Sequence, residues 1–245
     1  MRMFGSVVLG MILAAFMALS VHAEELVVGT YAEFPPFEYT DDDDKVIGFD
    51  IDVVEAIGRE TGFTPKWTSL SFAALIEGLE SDRLDLVASG LTITEARQRK
   101  VDFSVPYFDV SLVMVVREGD PMVTSLDQLK DMKVAVLMGS TASVVLEKAL
   151  GENALNVRHL AKYNEVFSDL LIGRADAVLV DQPMARTYSG IMGSMEVGTV
   201  KMHVEQYGFA AKKGNKTMVD RINVGLEKIR ESGEFDRLVE KWFKN

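Results

Sequence analysis

Short apolar runs alternate with longer amphipathic stretches along most of the chain. Residues 26–29 and 133–137 are apolar runs typical of buried strands. In residues 51–57 and 217–231, apolar residues recur every three or four positions, which predicts helices. Strands that alternate with helices are typical of an α/β fold with largely parallel sheets, so we expect that fold class.

The same periodicities predict the remaining elements. Ser125-Leu-Asp-Gln128 has the form of a capping box that opens a short helix. Asp41-Asp-Asp-Asp-Lys45 lies between two strand-like residues, which predicts a solvated hairpin turn. A calcium-binding loop is disfavoured because the spacing of the residues does not fit one. Further strands are expected at 65–70, 84–88, 111–116 and 175–180, and further helices at 72–81, from 143 to 150, at 165–173 and at 235–243.

Residues 1–23 differ in character from the rest of the chain. Arg2 is followed by an apolar run over residues 7–19 and then by Val21-His22-Ala23, a pattern typical of signal-peptide cleavage. The alternative, a membrane anchor, is disfavoured because the run is shorter than the ~20 residues that a spanning helix needs. We therefore expect a secretory signal peptide that is cleaved after Ala23.

The charge and the lack of cysteine narrow the function classes. Without Arg2 the chain has 25 Lys and Arg against 37 Asp and Glu, a net charge of −12, which disfavours nucleic acid and anionic lipid as partners. The absence of cysteine excludes disulfides, thiolate metal sites, a cysteine nucleophile and a lipid-modified cysteine anchor. We expect a monomer that diffuses freely in a periplasm and is not lipid-anchored.

Motifs of catalysis and cofactor binding are missing. Only His159 and His203 remain after the signal segment, and neither has the spacing of a metal site. The sequence has no G-x-S-x-G elbow, no Walker loop and no dinucleotide fingerprint. We therefore expect no cofactor, no metal and no catalytic residue.

The segment Ser89-Gly-Leu-Thr-Ile-Thr-Glu-Ala-Arg97 has the form of a binding loop. It follows a predicted strand, and ligands of α/β sheets bind at the carboxyl ends of strands. Thr94 is a candidate N-cap, and Arg97 lies one turn into the helix, where a guanidinium can grip a carboxylate with two parallel hydrogen bonds. The alternative is that Arg97 is a surface residue, because arginine is mostly exposed.

The motifs together resemble those of a known family. The chain resembles the periplasmic amino-acid-binding proteins of ABC importers, the bacterial extracellular solute-binding proteins of family 3, which include glutamine-binding and lysine/arginine/ornithine-binding proteins. The landmarks follow the family order: EFPPFEY at 33–39, GFDIDVVEAI at 48–57, LDLVASGLTITEARQRKVDFSVPY at 84–107, GSTAS at 139–143, GRADAVLVDQP at 173–183 and GEFDRLVEKWF at 233–243.

The resemblance implies a fold of two α/β lobes, of the type II or Venus-flytrap kind, joined by a hinge of two crossing strands. Lobe 1 is expected to comprise residues 24–108 plus 207–245, and lobe 2 residues 109–206. The crossings are expected near residues 107–109 and 206–208. A ligand enclosed between the lobes would close them by a hinge motion.

The resemblance also implies the site residues. Arg97 is expected to bind the α-carboxylate of the ligand, together with Thr92, Thr141 and Ala142. Asp181 is expected to accept hydrogen bonds from the α-ammonium, along with the Gly90 carbonyl and the Thr92 hydroxyl. The remaining ligand-binding residues implied by position are the aromatic residues Phe34 and Phe72 and the residues Tyr31, Ser89, Gly90 and Met138.

Departures from the relatives bear on specificity. Tyr31 stands where relatives that bind glutamine or cationic amino acids have an aspartate, and Met138 and Val180 stand where the glutamine binder has a lysine and a histidine. The pocket is therefore expected to be more apolar and to favour a neutral or moderately polar amino acid, with a cationic one as the alternative. Glu33 either supplies a carboxylate to this pocket or lies in a solvated loop.

Two other function classes remain as alternatives. Cyclohexadienyl-dehydratase-like enzymes share the fold, but their chemistry needs a general acid in the cleft, and Asp181 is the one acidic position expected there from lobe 2. A sensor would need a spanning helix or a signalling domain, which the sequence after Phe243 does not contain. We therefore expect a non-enzymatic binding protein that serves a separate ABC-transporter permease in the membrane.

Overall fold

The computed structural model describes residues 24–151 and 154–244. The expected signal peptide, residues 1–23, lies outside the described residues. Within the described part of the chain, no helix is long and apolar enough to cross a membrane.

The described residues form strands and helices that alternate along most of the chain. The strands are β1 (Glu24–Thr30), β2 (Glu33–Phe34), β3 (Glu38–Thr40), β4 (Val46–Ile47), β5 (Phe63–Ser69), β6 (Leu86–Val87), β7 (Val101–Phe103), β8 (Phe108–Arg117), β9 (Val134–Leu137), β10 (Val157–Leu160), β11 (Ala177–Asp181), β12 (Met195–Val197), β13 (His203–Tyr207) and β14 (Ala210–Lys212). The α-helices are α1 (Phe49–Thr61), α2 (Leu75–Glu80), α3 (Glu95–Gln98), α4 (Thr141–Leu150), α5 (Tyr163–Leu171), α6 (Gln182–Met192), α7 (Lys216–Glu231) and α8 (Glu234–Phe243).

Two large sheets define two lobes. The sheet of lobe 1 has the strand order β5-β1-β6-β14-β7, and helices α1 and α7 pack together beside it. The sheet of lobe 2 has the order β10-β9-β11-β8-β12, with β13 also paired to β8. A small antiparallel sheet of β2, β3 and β4 accompanies lobe 1. The expected two-lobed α/β fold is confirmed.

Both large sheets are mixed, so the expectation of largely parallel sheets is wrong in this respect. β1 runs parallel to β5 and β6, and β9 runs parallel to β10 and β11. The antiparallel members are β14 in lobe 1 and β8, β12 and β13 in lobe 2. β8 leaves lobe 1 and β13 returns toward it, so these two strands pair antiparallel.

The strands β8 and β13 form the connection between the lobes. They pair antiparallel, with Phe108 opposite Tyr207 and Val110 opposite Glu205. At the lobe 1 end, an aromatic cluster surrounds the pair: the Phe37 ring lies 5.0 Å from that of Phe108 and 5.3 Å from that of Tyr207, centroid to centroid. Aromatic packing of this kind stabilises the lobe 1 end of the connection.

The core of lobe 2 follows from strand alternation. Side chains in a strand point alternately to opposite faces, and β8 is buried on both of them. Val113 and Val115 belong to the larger hydrophobic cluster, whereas Leu112, Met114 and Val116 belong to a second cluster on the other face. A strand buried on both faces reads as a continuous apolar run, which is why the sequence predicts it.

The predicted elements each overlap an observed one, and two local signals are confirmed in detail. Ser125 and Gln128 form the capping box that opens a 3-10 helix (Leu126–Asp131), with the Ser125 N–H donating to Gln128 Oε1 at 3.0 Å. Asp41 Oδ1 closes the hairpin turn by accepting from the N–H groups of Asp43 (3.0 Å) and Lys45 (2.9 Å). α6 was not predicted, because Pro183 was interpreted only as the residue that ends a strand. Proline is also well suited to the first turn of a helix, and that is its position in α6.

Candidate ligand-binding site

The loop between β6 and α3 approaches the connecting strands closely. Gly90 has a φ of 47°, in the left-handed region that favours glycine. A Cβ atom there would lie 2.4 Å from Cε1 of Phe34, so the close approach also requires glycine. Thr92 forms a single antiparallel bridge with Tyr207 of β13. The loop is therefore tied to the hinge at the point where lobe 1 faces lobe 2.

Arg97 extends from this loop across to the other lobe. Thr94 caps the short helix by accepting from the Arg97 N–H at 3.2 Å. The Arg97 guanidinium donates to the Thr92 carbonyl at 2.9 Å and to the Gly139 carbonyl at 3.1 Å, and it lies 5.4 Å from the centre of the Phe72 ring. Burial lowers the pKa of Arg97, but a guanidinium keeps its proton at neutral pH.

Asp181 faces this guanidinium from the end of β11 in lobe 2. Its Oδ1 accepts a hydrogen bond from the Tyr207 hydroxyl at 2.7 Å. Burial, followed by the charge of Glu205, raises the pKa of Asp181 to about 7, while the Tyr207 hydroxyl and the Arg97 charge oppose the increase. A buried carboxylate of this kind is stabilised when a cation supplies further hydrogen bonds.

The N-terminus of α4 forms a further wall. Ser140 is the N-cap, and its hydroxyl accepts from the Ser143 N–H at 3.2 Å. The first N–H groups of a helix have no intrahelical acceptor, so those of Thr141 and Ala142 are suited to an anionic group. The Thr141 hydroxyl donates to Glu205 Oε2 at 2.7 Å.

Aromatic rings close the remaining sides. Phe34 of lobe 1 stacks on Tyr163 of lobe 2, with 5.5 Å between the ring centres. Tyr31 lies behind this pair, with its ring centre 6.2 Å from that of Phe72 and 6.3 Å from that of Tyr163. Tyr163 was not among the residues predicted from sequence, because no motif marks the start of α5.

These groups enclose one small space, which we call the interlobe cavity. Its lining residues are Phe34, Phe72, Gly90, Thr92, Arg97, Leu137, Ser140, Thr141, Tyr163 and Asp181. Its volume is ≈ 10 Å³, about the room that one water molecule needs. An amino acid is larger, so it enters only if the lobes separate.

The structure brings seven of the eleven predicted site residues together around this cavity. The other four lie close by or outside it. Ser89 is buried and donates to Glu38 Oε1 at 2.8 Å, and Ala142 is buried in α4. Tyr31 is buried behind the aromatic wall, whereas Met138 is 48% exposed. The additional lining residues that sequence did not predict are Leu137, Ser140 and Tyr163.

Glu33 lies at the junction of the lobes. Its Oε1 accepts from Lys162 Nζ of lobe 2 at 2.8 Å, and its Oε2 accepts from the Tyr31 hydroxyl at 3.2 Å. The Tyr31 hydroxyl also lies 3.3 Å from the Ala161 carbonyl, and it has a single proton to donate. Glu33 is thus held beside the aromatic wall and is partly neutralised by Lys162. Among the described residues, no group of three or more His, Cys, Asp or Glu side chains is placed to hold a metal ion.

The chain belongs to the bacterial extracellular solute-binding proteins, family 3, whose family model matches residues 26–245. It is 34% identical over 220 residues to a probable histidine-binding protein of Neisseria gonorrhoeae, covering 88% of this chain and 82% of that protein. The structure is similar to that of an ancestral arginine-binding protein bound to arginine, with a TM-score of 0.86, 36% identity and coverage of 91% and 99% of the two chains. It is also similar to an ancestral arginine-binding protein bound to glutamine, with a TM-score of 0.85, 36% identity and coverage of 90% and 98%.

The family resemblance expected from the motifs is therefore confirmed. An amino-acid ligand and an ABC-transporter permease fit the role of the relatives, which include a putative ABC transporter arginine-binding protein of Escherichia coli. The family and these relatives are solute-binding proteins rather than enzymes.

Proposed function

We propose that this protein captures a free amino acid with a cationic side chain, of the arginine class, between its two lobes and delivers it to a membrane permease. The observation that carries the proposal is that Arg97 and Asp181 line the same interlobe cavity from opposite lobes. A free amino acid carries one negative and one positive group on its α-carbon, so it matches two opposite charges placed in this way.

Each end of the zwitterion has a proposed partner. Arg97 binds the α-carboxylate, and the N–H groups at the start of α4, those of Thr141 and Ala142, complete its shell. Asp181 accepts hydrogen bonds from the α-ammonium, with the Gly90 carbonyl and the Thr92 hydroxyl oxygen as further acceptors. Because the two charged residues lie on different lobes, only the closed arrangement holds both ends of the ligand.

The proposed cationic ligand replaces the sequence-based preference for a neutral or polar one, which is not confirmed. The histidine-binding and arginine-binding names of the relatives favour the cationic alternative. The surroundings agree, since the Glu33 carboxylate lies beside the aromatic wall, where it accepts from the Tyr31 hydroxyl. A planar guanidinium also stacks well on aromatic rings such as those of Phe34 and Tyr163.

We also propose the boundaries within which this closure occurs. Residues 24–108 and 207–245 form lobe 1, and residues 109–206 form lobe 2, so that the hinge lies where Phe108 pairs with Tyr207. Residues 1–23 direct export to the periplasm and are removed.

A thermal-shift screen of residues 24–245 against the common amino acids tests the proposal. A ligand at 100 times its dissociation constant adds ~2.7 kcal/mol to the free energy of unfolding, which is roughly 5–10 °C for a chain of this size. We expect arginine to give the largest shift, with lysine and histidine next. A largest shift with a neutral amino acid would refute the cationic preference, and no shift with any amino acid would refute the function.

A further inference from the structure

Glu205 is a buried acid on the strand that connects the lobes. It lies in β13, and its side chain is 2% exposed. Its Oε2 accepts two hydrogen bonds, from the Thr92 hydroxyl at 2.8 Å and from the Thr141 hydroxyl at 2.7 Å. Thr92 belongs to the loop of lobe 1, and Thr141 begins α4 in lobe 2. One carboxylate oxygen therefore joins hydroxyl groups of both lobes.

The position of Glu205 is not explained by stability alone. Among the residues that the structure describes, Oε1 has no hydrogen-bond partner, and the His203 Nε2 atom lies 4.0 Å from it. Burying a carboxylate with one oxygen unpaired is unfavourable. Glu205 is also not among the residues that line the interlobe cavity. It lines an adjoining cleft of ≈ 880 Å³ together with Thr92, Arg97 and Thr141, so it lies next to the interlobe cavity, where it can act on the residues that line it.

We propose that Glu205 is a closure latch, a positioning residue that holds the lobes together when the ligand is bound. This inference rests on the proposed capture of a ligand by lobe closure. The carboxylate can accept from both hydroxyls only while Thr92 and Thr141 lie on either side of it. When the lobes separate, one of the two hydrogen bonds breaks, so the two bonds together stabilise the closed arrangement relative to the open one. Hydrogen bonds to a charged acceptor are the stronger kind, which makes this difference large enough to measure.

The latch also fixes what the two hydroxyls offer to the ligand. A hydroxyl group has one proton, and both protons are donated to Glu205. Thr92 and Thr141 therefore present only lone pairs to the cavity. They can accept from the α-ammonium but cannot donate to the α-carboxylate, which depends on Arg97 and on backbone N–H groups. This differs from the donor role toward the α-carboxylate that the resemblance implied for both threonines, and it leaves Thr92 the acceptor role toward the α-ammonium that the resemblance also implied.

Two substitutions separate the latch from a simple effect of charge. Glu205→Gln keeps the size but loses the charge and one acceptor, and Glu205→Asp keeps the charge but shortens the side chain by one methylene. We expect each to raise the dissociation constant for arginine by about tenfold or more, the range expected for one charge-assisted hydrogen bond. Glu227→Gln, a substitution of an exposed acid on α7, is the matched control and should bind as the wild type does.

The coupling to Thr92 distinguishes the latch from general destabilisation, because the bond from Thr92 to Glu205 is the one that crosses from lobe 1 to lobe 2. In a Thr92→Val background, Glu205→Gln should weaken binding by less than threefold, because the bond between the lobes is already absent. Full additivity of the two losses would overturn the latch, as would binding by both Glu205 variants within twofold of the wild type.

A second measurement does not depend on the ligand. Small-angle X-ray scattering of the unliganded Glu205 variants should give a larger radius of gyration than that of the wild type and of Glu227→Gln, because the open arrangement gains population. If the wild type binds no amino acid, the proposed function is refuted, and the radius of gyration alone then tests whether Glu205 holds the lobes together. An unchanged radius in that case would overturn it. If Glu205→Gln does not fold, Glu205→Asp carries the same test.

Discussion

The Arg97 guanidinium of lobe 1 donates through Nη2 to the backbone carbonyl of Gly139 in lobe 2, at 3.1 Å. A second bond, from Nη1 to the Thr92 carbonyl, fixes the orientation of the group. A guanidinium has five N–H donors, so further donors remain for a carboxylate. The bond to the Thr92 carbonyl lies within lobe 1, so it can orient the side chain before any ligand arrives, which reduces the entropy lost on binding.

The affinity for arginine should depend on the ionisation of Asp181. Burial raises the pKa of this carboxyl to about 7, so below that pH it holds a proton that the α-ammonium must displace. Binding should weaken as the pH falls from 8 to 6, by up to about tenfold per unit below the pKa. Calorimetric titrations at a series of pH values measure this.

Asp181→Asn provides the control for the pH dependence. This variant should bind weakly and with a flat profile over the same range, because the titrating group is gone. A wild-type affinity that does not change between pH 8 and 6 would contradict the role of Asp181 as the ammonium acceptor.

The stability of the unliganded protein should change in the opposite direction. Burial raises the pKa of Asp50 to about 7, and burial together with the Asp50 charge raises that of Glu38. Asp50 accepts from the Gly90 N–H at 2.8 Å and from the Tyr107 hydroxyl at 2.7 Å. The folded state therefore binds more protons than the unfolded chain, so the free energy of unfolding should rise as the pH falls from 8 toward 5.

Urea denaturation at several pH values measures this slope. Each proton contributes about 1.4 kcal/mol per pH unit at most. Asp50→Asn should reduce the slope, while Asp52→Asn, at an acid of α1 that accepts from Trp242 and Lys241, should leave it unchanged. A wild-type stability that rises from pH 5 to pH 8 would show that these carboxyls are not buried in their protonated form.

Gly90→Ala should damage both the fold and the site. The added Cβ would lie 2.4 Å from the Phe34 ring, which forms a wall of the interlobe cavity. We expect a loss of about 1–3 kcal/mol in the free energy of unfolding and weaker binding of arginine.

Gly173→Ala is the control that separates the effect of backbone strain from the effect of the clash. Gly173 has a φ of 74° and would place its Cβ in open space, so this substitution carries the backbone strain alone. Equal losses for the two variants in denaturation experiments would mean that strain, rather than the contact between Gly90 and Phe34, limits the position.

Glu33→Gln should change the selectivity of the protein. The Glu33 carboxylate lies beside the aromatic wall and is held by Lys162 and Tyr31. We expect arginine binding to weaken about tenfold, the range for one charge-assisted hydrogen bond, and glutamine binding to change by less than twofold. Competition calorimetry with both ligands measures the ratio, with Glu227→Gln as the control. Equal losses for both ligands would place Glu33 outside the side-chain pocket.

Much of the fold was predictable because its elements are periodic and their ends carry local signals. The apolar run of β8 and the capping box at Ser125 are examples in which the neighbouring residues alone determine the structure. The periodicity did not predict β13, because this strand has no apolar run and its pairing with β8 is a long-range contact. Only the family resemblance implied a crossing strand near residues 206–208. The mixed direction of the sheets was missed for the same reason.

The residues of the site also fall into those that local motifs mark and those that only the folded chain brings together. Arg97, Thr92 and Asp181 stand in recognisable motifs at strand ends, and the family resemblance implied their roles, which stay predictions. Glu205 was missed because its two partners lie 113 and 64 residues away in the sequence, so its function exists only in the folded chain.

The most direct test of the central claim is a calorimetric titration of arginine into the wild type, Arg97→Ala and Arg99→Ala. Arg99 is an exposed neighbour on the same segment and serves as the control. We predict that Arg99→Ala binds as the wild type does, while Arg97→Ala loses at least about 100-fold in affinity, the loss expected when a bidentate carboxylate contact is removed. The melting temperature of unliganded Arg97→Ala should stay within a few degrees of the wild type. Binding of arginine by Arg97→Ala within threefold of the wild-type affinity would contradict the account.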